Sequence, residues 1–513
     1  MRQARGPSPA QNPAQGGATR CGAGALAAAS EADMPINFRR LFFFGDSITD
    51  AGRLPEPFRP DPPYDDGRFT NGLVYAQLLT QELQDFGVTA NNYAYGGAKA
   101  LPSEPQQLLI GLDAQVSEFE ISYLLDGPGA SAAVIFIGGN DYHDVDPSDP
   151  TIVSRVLESI DDAAMRLARR GVDELILFNL PLSSQIPRRS LLSAAELAAE
   201  DAMIKAHNDG LQQLAATYSG AGVRTTIVDV YRLLREVRAD KETFGLKAVN
   251  SSLYILDEDD MPVRNEITSQ FDPDEVAFFD PVHPSAAGHG ILAAFAEATL
   301  RADLVTFRGS GNDTIGGSSG ADLVVAAGGS DQVLAGTGDD VVLAGLGDDT
   351  VSGSDGSDLI IGGRGNDRIT GSTGSDLLAG SAGNDNLSGG GDHDVLILGT
   401  GLDSASGGAG NDLLIITDDA LTGLDTVSGG TETDTLRLEV SEEVFVSDLF
   451  QEEIHDFVPG AETMLSIGLT AIGVERLEVY VDGTQKFATD NLAPNQGTTA
   501  AARLRDADLW GLV

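Results

Sequence analysis

Four short stretches of this chain carry side chains suited to nucleophilic chemistry. The first, 41–50, reads LFFFGDSITD: four apolar residues, a Gly turn, then Ser47 and a segment that can begin a helix. A strand that stops in a turn and feeds a helix leaves its serine at the carboxyl edge of a sheet, where free helix N–H groups can receive an anion. A nucleophile would stand there if its product were an oxyanion; the same residues also read as an ordinary strand–turn–helix with a capping serine. The second stretch, NYAYGGA at 92–98, offers Gly96-Gly97, a pair that lets backbone N–H groups approach a substrate or simply turns the chain. The third, GGND at 138–141, carries Asn140, whose amide could donate to an oxyanion or tie a loop. The fourth, FFDPVHP at 278–284, sets Asp280 three residues before His283, so that a carboxylate can orient an imidazole within one loop. His207, His289 and His393 read as structural, His455 lies far from these stretches in sequence, and His143 has no assigned role.

These stretches need a scaffold that brings strand ends together. Between residues 36 and 304, buried strand runs (40–44, 133–137, 174–178, 224–230) alternate with helical periods (73–85, 152–170, 194–218, 285–301). Such alternation predicts a doubly wound α/β sheet with helices on both faces and chemistry beyond the carboxyl ends of the strands.

The 513 residues suffice for several domains and a large core. A formal net charge of -46 argues against nucleic acid and anionic membrane surfaces as electrostatic partners, and for divalent cations or a halophilic setting. A single cysteine, Cys21, excludes an internal disulfide, and no apolar run is long enough to span a bilayer. Residues 1–35 are rich in Ala, Gly, Pro and Gln with only a weak apolar run; they are expected to be disordered rather than a cleavable signal, and Met34 is an alternative start.

Beyond Arg308 the composition changes. Aspartate recurs every nine residues at Asp313, Asp322, Asp331, Asp340, Asp349, Asp358, Asp367, Asp376, Asp385, Asp394, Asp403 and Asp412. Gly stands two positions before each except at Asp392, and an apolar residue two positions after each, with Ala405 the weakest. The pattern resembles GGxGxDxUx, the RTX calcium-binding nonapeptide repeat. Each unit supplies a tight turn and a short strand with one inward apolar residue, and two units make one coil of a parallel β-roll. Stacked turns set Asp carboxylates and carbonyls between neighbours, an all-oxygen environment suited to a hard cation, and the repeat number predicts roughly ten Ca²⁺. Without ions the carboxylates repel and the Gly-rich chain has little apolar burial to offset its entropy. The register is expected to dissolve through 423–434, with strands over 435–440 and 474–481 capping the roll.

A second period, of eighteen residues, lies within the first. The residues flanking each inward position are polar or small in alternate units (Thr350 and Ser352, Arg368 and Thr370) and apolar in those between (Val341 and Leu343, Leu359 and Ile361, Val395 and Ile397), with Gln332 and Leu334 mixed. All the apolar pairs then fall on one outer sheet, a patch larger than a soluble monomer leaves bare. It is expected to be covered by 436–481 or by the α/β domain, with lipid or a hydrophobic partner as the alternative.

Taken in order, FGDS with Ser47, the block containing Gly96, GxND with Asn140 and DxxH with Asp280 and His283 resemble the blocks of the GDSL (SGNH) hydrolase family over 38–304. GRFTNG at 67–72 is similar to the GRFxNG segment of its lipase and lecithinase-like branch, and Ile48 stands where the name-giving motif has Leu. The resemblance implies a flavodoxin-like doubly wound sheet and a serine esterase or lipase, phospholipase included. His283, held by Asp280, would deprotonate Ser47, and the N–H groups of Ser47 and Gly96 with the Asn140 amide would meet the oxyanion; Gly97 competes with Gly96, which is preferred because it directly follows the tyrosine. The chemistry implied uses no cofactor, calcium being structural in the roll. The RTX resemblance implies a secreted, extracellular protein exported by a type I secretion apparatus with an uncleaved C-terminal signal. The expected domains are a disordered segment 1–35, the hydrolase 36–304, the β-roll 305–430 and a β-rich cap with the secretion signal at 431–513. The alternative is a calcium-dependent surface or matrix protein whose hydrolase domain is a binding module. Acyl chain length, head group and oligomeric state stay open.

Overall fold

The computed structural model describes residues 36–489 and Trp510, apart from 55–58, 61–62, 85, 103–109, 124–129, 144–148, 257–261, 418–424, 456, 466, 468 and 482–483. The segment 1–35, with Cys21 and Met34, and residues 490–509 and 511–513 at the end of the expected 431–513 cap and secretion-signal region lie outside the described residues.

Strands β1 (Arg40–Gly45), β2 (Thr89–Asn92), β3 (Ser131–Phe136), β4 (Glu174–Phe178) and β5 (Arg224–Val228) form one parallel sheet in the order β2-β1-β3-β4-β5. This is the flavodoxin-like order, and its direction reverses between β1 and β3, where a crevice opens at the carboxyl ends. The run Leu41–Phe44 is buried on both faces because helices cover both. They are α1 (Tyr75–Gln84), α2 (Leu112–Tyr123), the single turn α3 (Gly139–Tyr142), α4 (Ile152–Arg169), α5 (Ala194–Gly220), α6 (Val230–Ala239) and α7 (Ala286–Arg301). In α4 the buried residues Val156, Ile160, Ala163 and Leu167 recur at helical spacing, with charge on the opposite face. Several elements escaped the sequence pattern, helix α2 among them. The edge strand β2 is TANN, half exposed and without an apolar residue larger than alanine. Where a strand was expected to run to 230, Asp229 caps α6 by accepting the Arg232 N–H.

The roll begins directly after α7, with strand Leu304–Phe307. Its strands form a ten-stranded and a nine-stranded sheet, the strands of the repeat region pairing with those eighteen residues on, as in Val342↔Ile360 and Ile360↔Leu378. The inward residues, among them Ile315, Val333, Ile360, Leu396 and Leu414, form one closed apolar core.

The sheets run on past residue 430, which falls inside strand Asp425–Thr431. Val427 pairs with Ala405 and Leu436 with Leu414, because after a four-residue insertion the Gly-x-Asp-x-apolar pattern resumes. The strand Arg476–Val481 extends the ten-stranded sheet by one more parallel rung. Antiparallel partners then end both sheets, Thr484–Ala488 on one and Thr463–Leu465 on the other. Phe450 and Ile454 of the helix Asp448–His455 join the apolar interior, so the open end is closed.

The apolar outer face is covered by the α/β domain. Leu323, Leu343, Leu359, Ile361, Leu377 and Ile397 are at most 6% exposed and belong to one apolar cluster with Val237, Ile291 and the sheet core. Segment 436–481 prolongs the sheets instead of covering that face. Two ion pairs flank the contact, Arg364 Nε with Asp240 Oδ1 at 2.7 Å and Arg301 with Asp339 at 3.6 Å, and Trp510 packs in the same cluster.

Candidate functional site

The crevice is assembled from turns that close approach dictates. At the end of β1, Gly45 leaves no room for a Cβ, which would meet Thr49 Oγ1 and the Phe136 carbonyl. Its N–H donates to Gln115 Oε1 at 2.9 Å and its carbonyl accepts from Gln115 Nε2 at 2.8 Å, which fixes the turn. Asp46 then accepts the Ile48 N–H on Oδ1 and the Thr49 and Asp50 N–H groups on its carbonyl. The Ser47 N–H has no hydrogen-bond partner among the described residues and stands beside its own hydroxyl.

Ser47 Oγ lies 2.7 Å from His283 Nε2, and His283 Nδ1 lies 2.7 Å from Asp280 Oδ2. Asp280 Oδ1 accepts the N–H groups of Val282 and His283 at 2.8 and 2.9 Å, so the carboxylate is held by its own loop. Burial alone would raise the Asp280 carboxyl, but the charge and hydrogen bonds of His283 carry it below the ordinary carboxylate value. Burial alone would lower the His283 imidazole, whereas Asp280, with a smaller contribution from Asp46, holds it above 6.5. Asp46 itself is pushed up to about 7 by burial.

The loop 63–72 wraps this pair. Phe69 stacks on the His283 ring at 5.0 Å, Arg68 Nε donates to the Gly72 carbonyl at 2.8 Å, and Asn71 Oδ1 accepts the Ala286 N–H at the start of α7. Tyr64 reaches Asp280 Oδ2 with its hydroxyl at 2.9 Å. Nothing in sequence flagged Tyr64, whose partner lies 216 residues away.

The expected oxyanion donors need a correction. The Gly96 N–H donates to Asp50 Oδ2 at 2.8 Å, and a Cβ at Gly96 would collide with Phe69 and Leu54. Gly96 is therefore a packing and turn residue whose donor is occupied. The next N–H, that of Gly97, has no partner among the described residues, and Gly97 has a φ of +72° that glycine adopts readily. Asn140 Nδ2 donates to the Ala98 carbonyl at 3.0 Å, leaving its second N–H, and the residue lines the same crevice as Ser47. Asp141 accepts the Ala100 and Leu101 N–H groups, tying the Gly96-Gly97 loop to the end of β3.

Behind Ser47 the crevice becomes apolar, lined by Leu180, Ile186, Ile204, Leu233, Leu234 and Val237, with Ile291 and Leu292 from α7. His143 also lines it. His207 and His289 do not reach Ser47: each is buried, with its pKa lowered to about 4 and about 3, beside the Tyr142 hydroxyl and the Tyr75 N–H respectively.

In the roll, the N–H of each repeat aspartate donates to Oδ1 of the aspartate one coil on, at 2.7–2.9 Å, as from Asp313 to Asp331 and from Asp394 to Asp412. Two vertical ladders result, and both continue beyond the expected repeats, from Asp403 to Asp425 and from Asp412 to Asp434. The other oxygen, Oδ2, is buried and has no hydrogen-bond partner among the described residues in Asp331, Asp349, Asp367, Asp385, Asp403 and Asp425 on one ladder, and in Asp340, Asp394, Asp412 and Asp434 on the other. Such an oxygen lies over a glycine five residues earlier: a Cβ at Gly362, Gly389 or Gly407 would collide with Asp367, Asp394 or Asp412 Oδ2 and crowd a carbonyl of the next coil. Burial, helped by neighbouring aspartates, pushes Asp340 and Asp367 up to about 7 and Asp385 and Asp394 to about 8. Among the described residues no three carboxylate, imidazole or thiol groups converge, so the set is one carboxylate oxygen per rung plus carbonyls. Hard, anionic and all-oxygen, it fits Ca²⁺.

The GDSL-like Lipase/Acylhydrolase family model matches residues 41–295, and the RTX calcium-binding nonapeptide repeat model matches six overlapping windows between 308 and 415. A phosphatidylcholine-sterol acyltransferase of Aeromonas hydrophila is 30% identical over 235 residues, covering 44% of this chain and 68% of that protein. The chain belongs to the GDSL family. It is a carboxylic ester hydrolase of that family carrying RTX calcium-binding repeats. A GDSL esterase/lipase of Arabidopsis thaliana is 22% identical, covering 53% of this chain and 89% of that protein. Among solved structures, an acetylxylan esterase of Geobacillus stearothermophilus (catalytic mutant) is 19% identical, covers 52% of this chain and 96% of its own, and has a TM-score of 0.30. No helix among the described residues is long and apolar enough to cross a membrane.

Proposed function

We propose that this GDSL enzyme cleaves esters of apolar acyl groups by two-step acyl transfer on Ser47. His283 Nε2 takes the Ser47 proton as Oγ bonds to the ester carbonyl carbon. The oxyanion is met by the N–H groups of Ser47 and Gly97 and by the Asn140 amide; one such donor typically contributes ~3 kcal/mol to the transition state. The alkoxy C–O bond then breaks, and His283 hands its proton to the leaving alcohol. Water adds to the acyl-enzyme, His283 accepts its proton, and the carboxylic acid departs as Ser47 recovers its hydrogen. Asp280 orients the imidazole and stabilises its cation.

The carrying observation is the hydrogen-bonded chain Ser47–His283–Asp280, with both links at 2.7 Å. The apolar lining behind Ser47 supports an aliphatic acyl chain, and the likeness to a phosphatidylcholine-sterol acyltransferase supports a lipid ester. The repeat aspartates, through Oδ2, and turn carbonyls would hold calcium; when bound, the ion supplies the positive charge that lets stacked carboxylates stay ionised while buried. Such a calcium-dependent roll supports secretion into a calcium-rich exterior through a type I apparatus.

The test is hydrolysis of p-nitrophenyl esters of graded chain length. Ser47→Ala is expected to lower kcat/KM at least about 10⁴-fold with calcium binding unchanged. Retained activity in Ser47→Ala would overturn the assignment of the nucleophile.

A further inference from the structure

The calcium-binding repeats are matched only as far as residue 415, yet the ladders that place their carboxylates do not stop there. The final coil reproduces the repeat arrangement with different residues. Asp434 is fully buried; Oδ1 receives the Asp412 N–H at 2.9 Å, and Oδ2 has no partner among the described residues. A Cβ at Gly429 would collide with Asp434 Oδ2 and with the Gly473 carbonyl. Inside the matched repeats, Gly389 stands in the same relation to Asp394 Oδ2 and the Gly407 carbonyl.

One coil on, Glu475 takes the place that an aspartate holds elsewhere. Its Oε2 accepts the Asp434 N–H at 2.9 Å, and the sequence Gly473-Val-Glu-Arg-Leu477 keeps the Gly-x-acid-x-apolar order with glutamate as the acid. The extra methylene lets the carboxylate reach the ladder from a turn separated from Asp434 by 41 residues rather than 18. The turn Gly429–Asp434 likewise has Glu432 where a repeat has Gly; its φ of +87° matches the left-handed geometry of that glycine.

We propose that this last coil holds a further divalent-cation site, between the turn 429–434 and the turn 473–475, with Asp434 Oδ2 and main-chain carbonyls such as that of Gly473 as donors and Ca²⁺ as the ion. It rests on the reading of the repeat aspartates as calcium ligands. Its distinct content is that the metal stack runs into the cap and ends on Glu475. The site then joins the last parallel coil to the closing hairpins, at the end of the roll where no further repeat follows among the described residues.

The experiment counts calcium per molecule of full-length protein by native mass spectrometry, with calcium alone as the added ligand. Asp434→Asn and Gly429→Ala are each expected to bind one Ca²⁺ fewer than the parent. Asp394→Asn, inside the matched repeats, is the comparison and also binds one fewer. Gly429→Ala leaves every carboxylate in place, so its loss reports the filled cradle and not a lost charge. Parent stoichiometry in both Asp434→Asn and Gly429→Ala, with one ion fewer in Asp394→Asn, overturns the proposal while leaving the reading of the repeats intact.

Discussion

The Tyr64 hydroxyl and His283 Nδ1 converge on one atom, Asp280 Oδ2, at 2.9 and 2.7 Å. The Tyr64 ring is fixed against Phe279 and Phe69, centroids 4.9 and 5.8 Å away, so its donor is held in place, and burial beside a carboxylate keeps the phenol protonated. A second donor on that oxygen stabilises the anion and draws charge away from the imidazole. Tyr64→Phe keeps the ring and removes the donor. We expect kcat/KM to fall about tenfold, the equivalent of one charge-assisted hydrogen bond at the weak end of its range. The acid limb of the pH profile should move upward, because Asp280 then interacts more strongly with the His283 cation. A lower melting temperature with an unshifted pH profile would mean that Tyr64 only packs.

In the parent enzyme the acid limb already has a defined position. His283 works as a base only when neutral, and its pKa is held above 6.5, so kcat/KM is lost as pH falls through a value above 6.5. Rate measurements from pH 5 to 9 with a soluble ester check this; a limb centred well below 6.5 contradicts it.

Asn140→Ala removes a crevice donor without touching the Ser47–His283 pair. It should lower kcat by about 10²–10³-fold with KM little changed, since the oxyanion exists only beyond the ground state. A change confined to KM would place Asn140 in ground-state binding instead.

Chelation should unfold the roll from 308 to about 481 and leave the secondary structure of the α/β domain largely intact, read by circular dichroism and hydrogen exchange. The calcium-free roll should also regain protection as pH falls. Burial raises Asp340, Asp385 and Asp394 to about 7 to 8, far above an ordinary aspartate, so the fold binds extra protons in that window. Its stability therefore decreases as pH rises from about 4 to 8. Equal exchange in the roll with and without chelator would remove the calcium trigger.

Val341→Asp combined with Leu359→Lys puts charge into the contact between roll and α/β domain, where Leu359 is 5% exposed. The two positions face each other across adjacent strands, so the charges can pair, but taking both out of water at this contact still costs several kcal/mol; domain separation or loss of solubility is expected, seen by limited proteolysis near Ala302 and by small-angle scattering. A monodisperse, equally stable double variant would show that the contact contributes little.

The sequence carried the local parts of this site and lost the long-range ones. Ser47 follows β1, Asn140 follows β3, and Asp280 and His283 share one turn, so each was readable as a local candidate. The Ser47–His283 link joins residues 236 apart, one after β1 and the other on a loop outside the five-stranded sheet, and was expected only from the family resemblance. The choice between Gly96 and Gly97 was not legible, because it depends on Asp50 and Phe69, distant side chains that occupy the first N–H and the space beside it. Tyr64 was hidden for the same reason. The end of the roll was legible in principle: Gly423-Leu-Asp-Thr-Val427 keeps the motif, displaced by four residues, and a search for an unbroken nine-residue register passes over it.

Helices α6 and α7 each carry two unrelated surfaces. On α6, Leu233, Leu234 and Val237 line the crevice behind Ser47, whereas Glu236 and Ala239 face Leu343 and Ile361 of the roll. On α7, Ile291 and Leu292 line the crevice, whereas Ala294 and Ala298 face Val341 and Leu359. A partition shared by two compartments transmits load in both directions. Were ordering of the roll by ions to change the shape of the acyl compartment, the two sites would be coupled through these helices. By thermodynamic reciprocity, an occupant that favoured that shape would then alter ion affinity in the roll by the same factor.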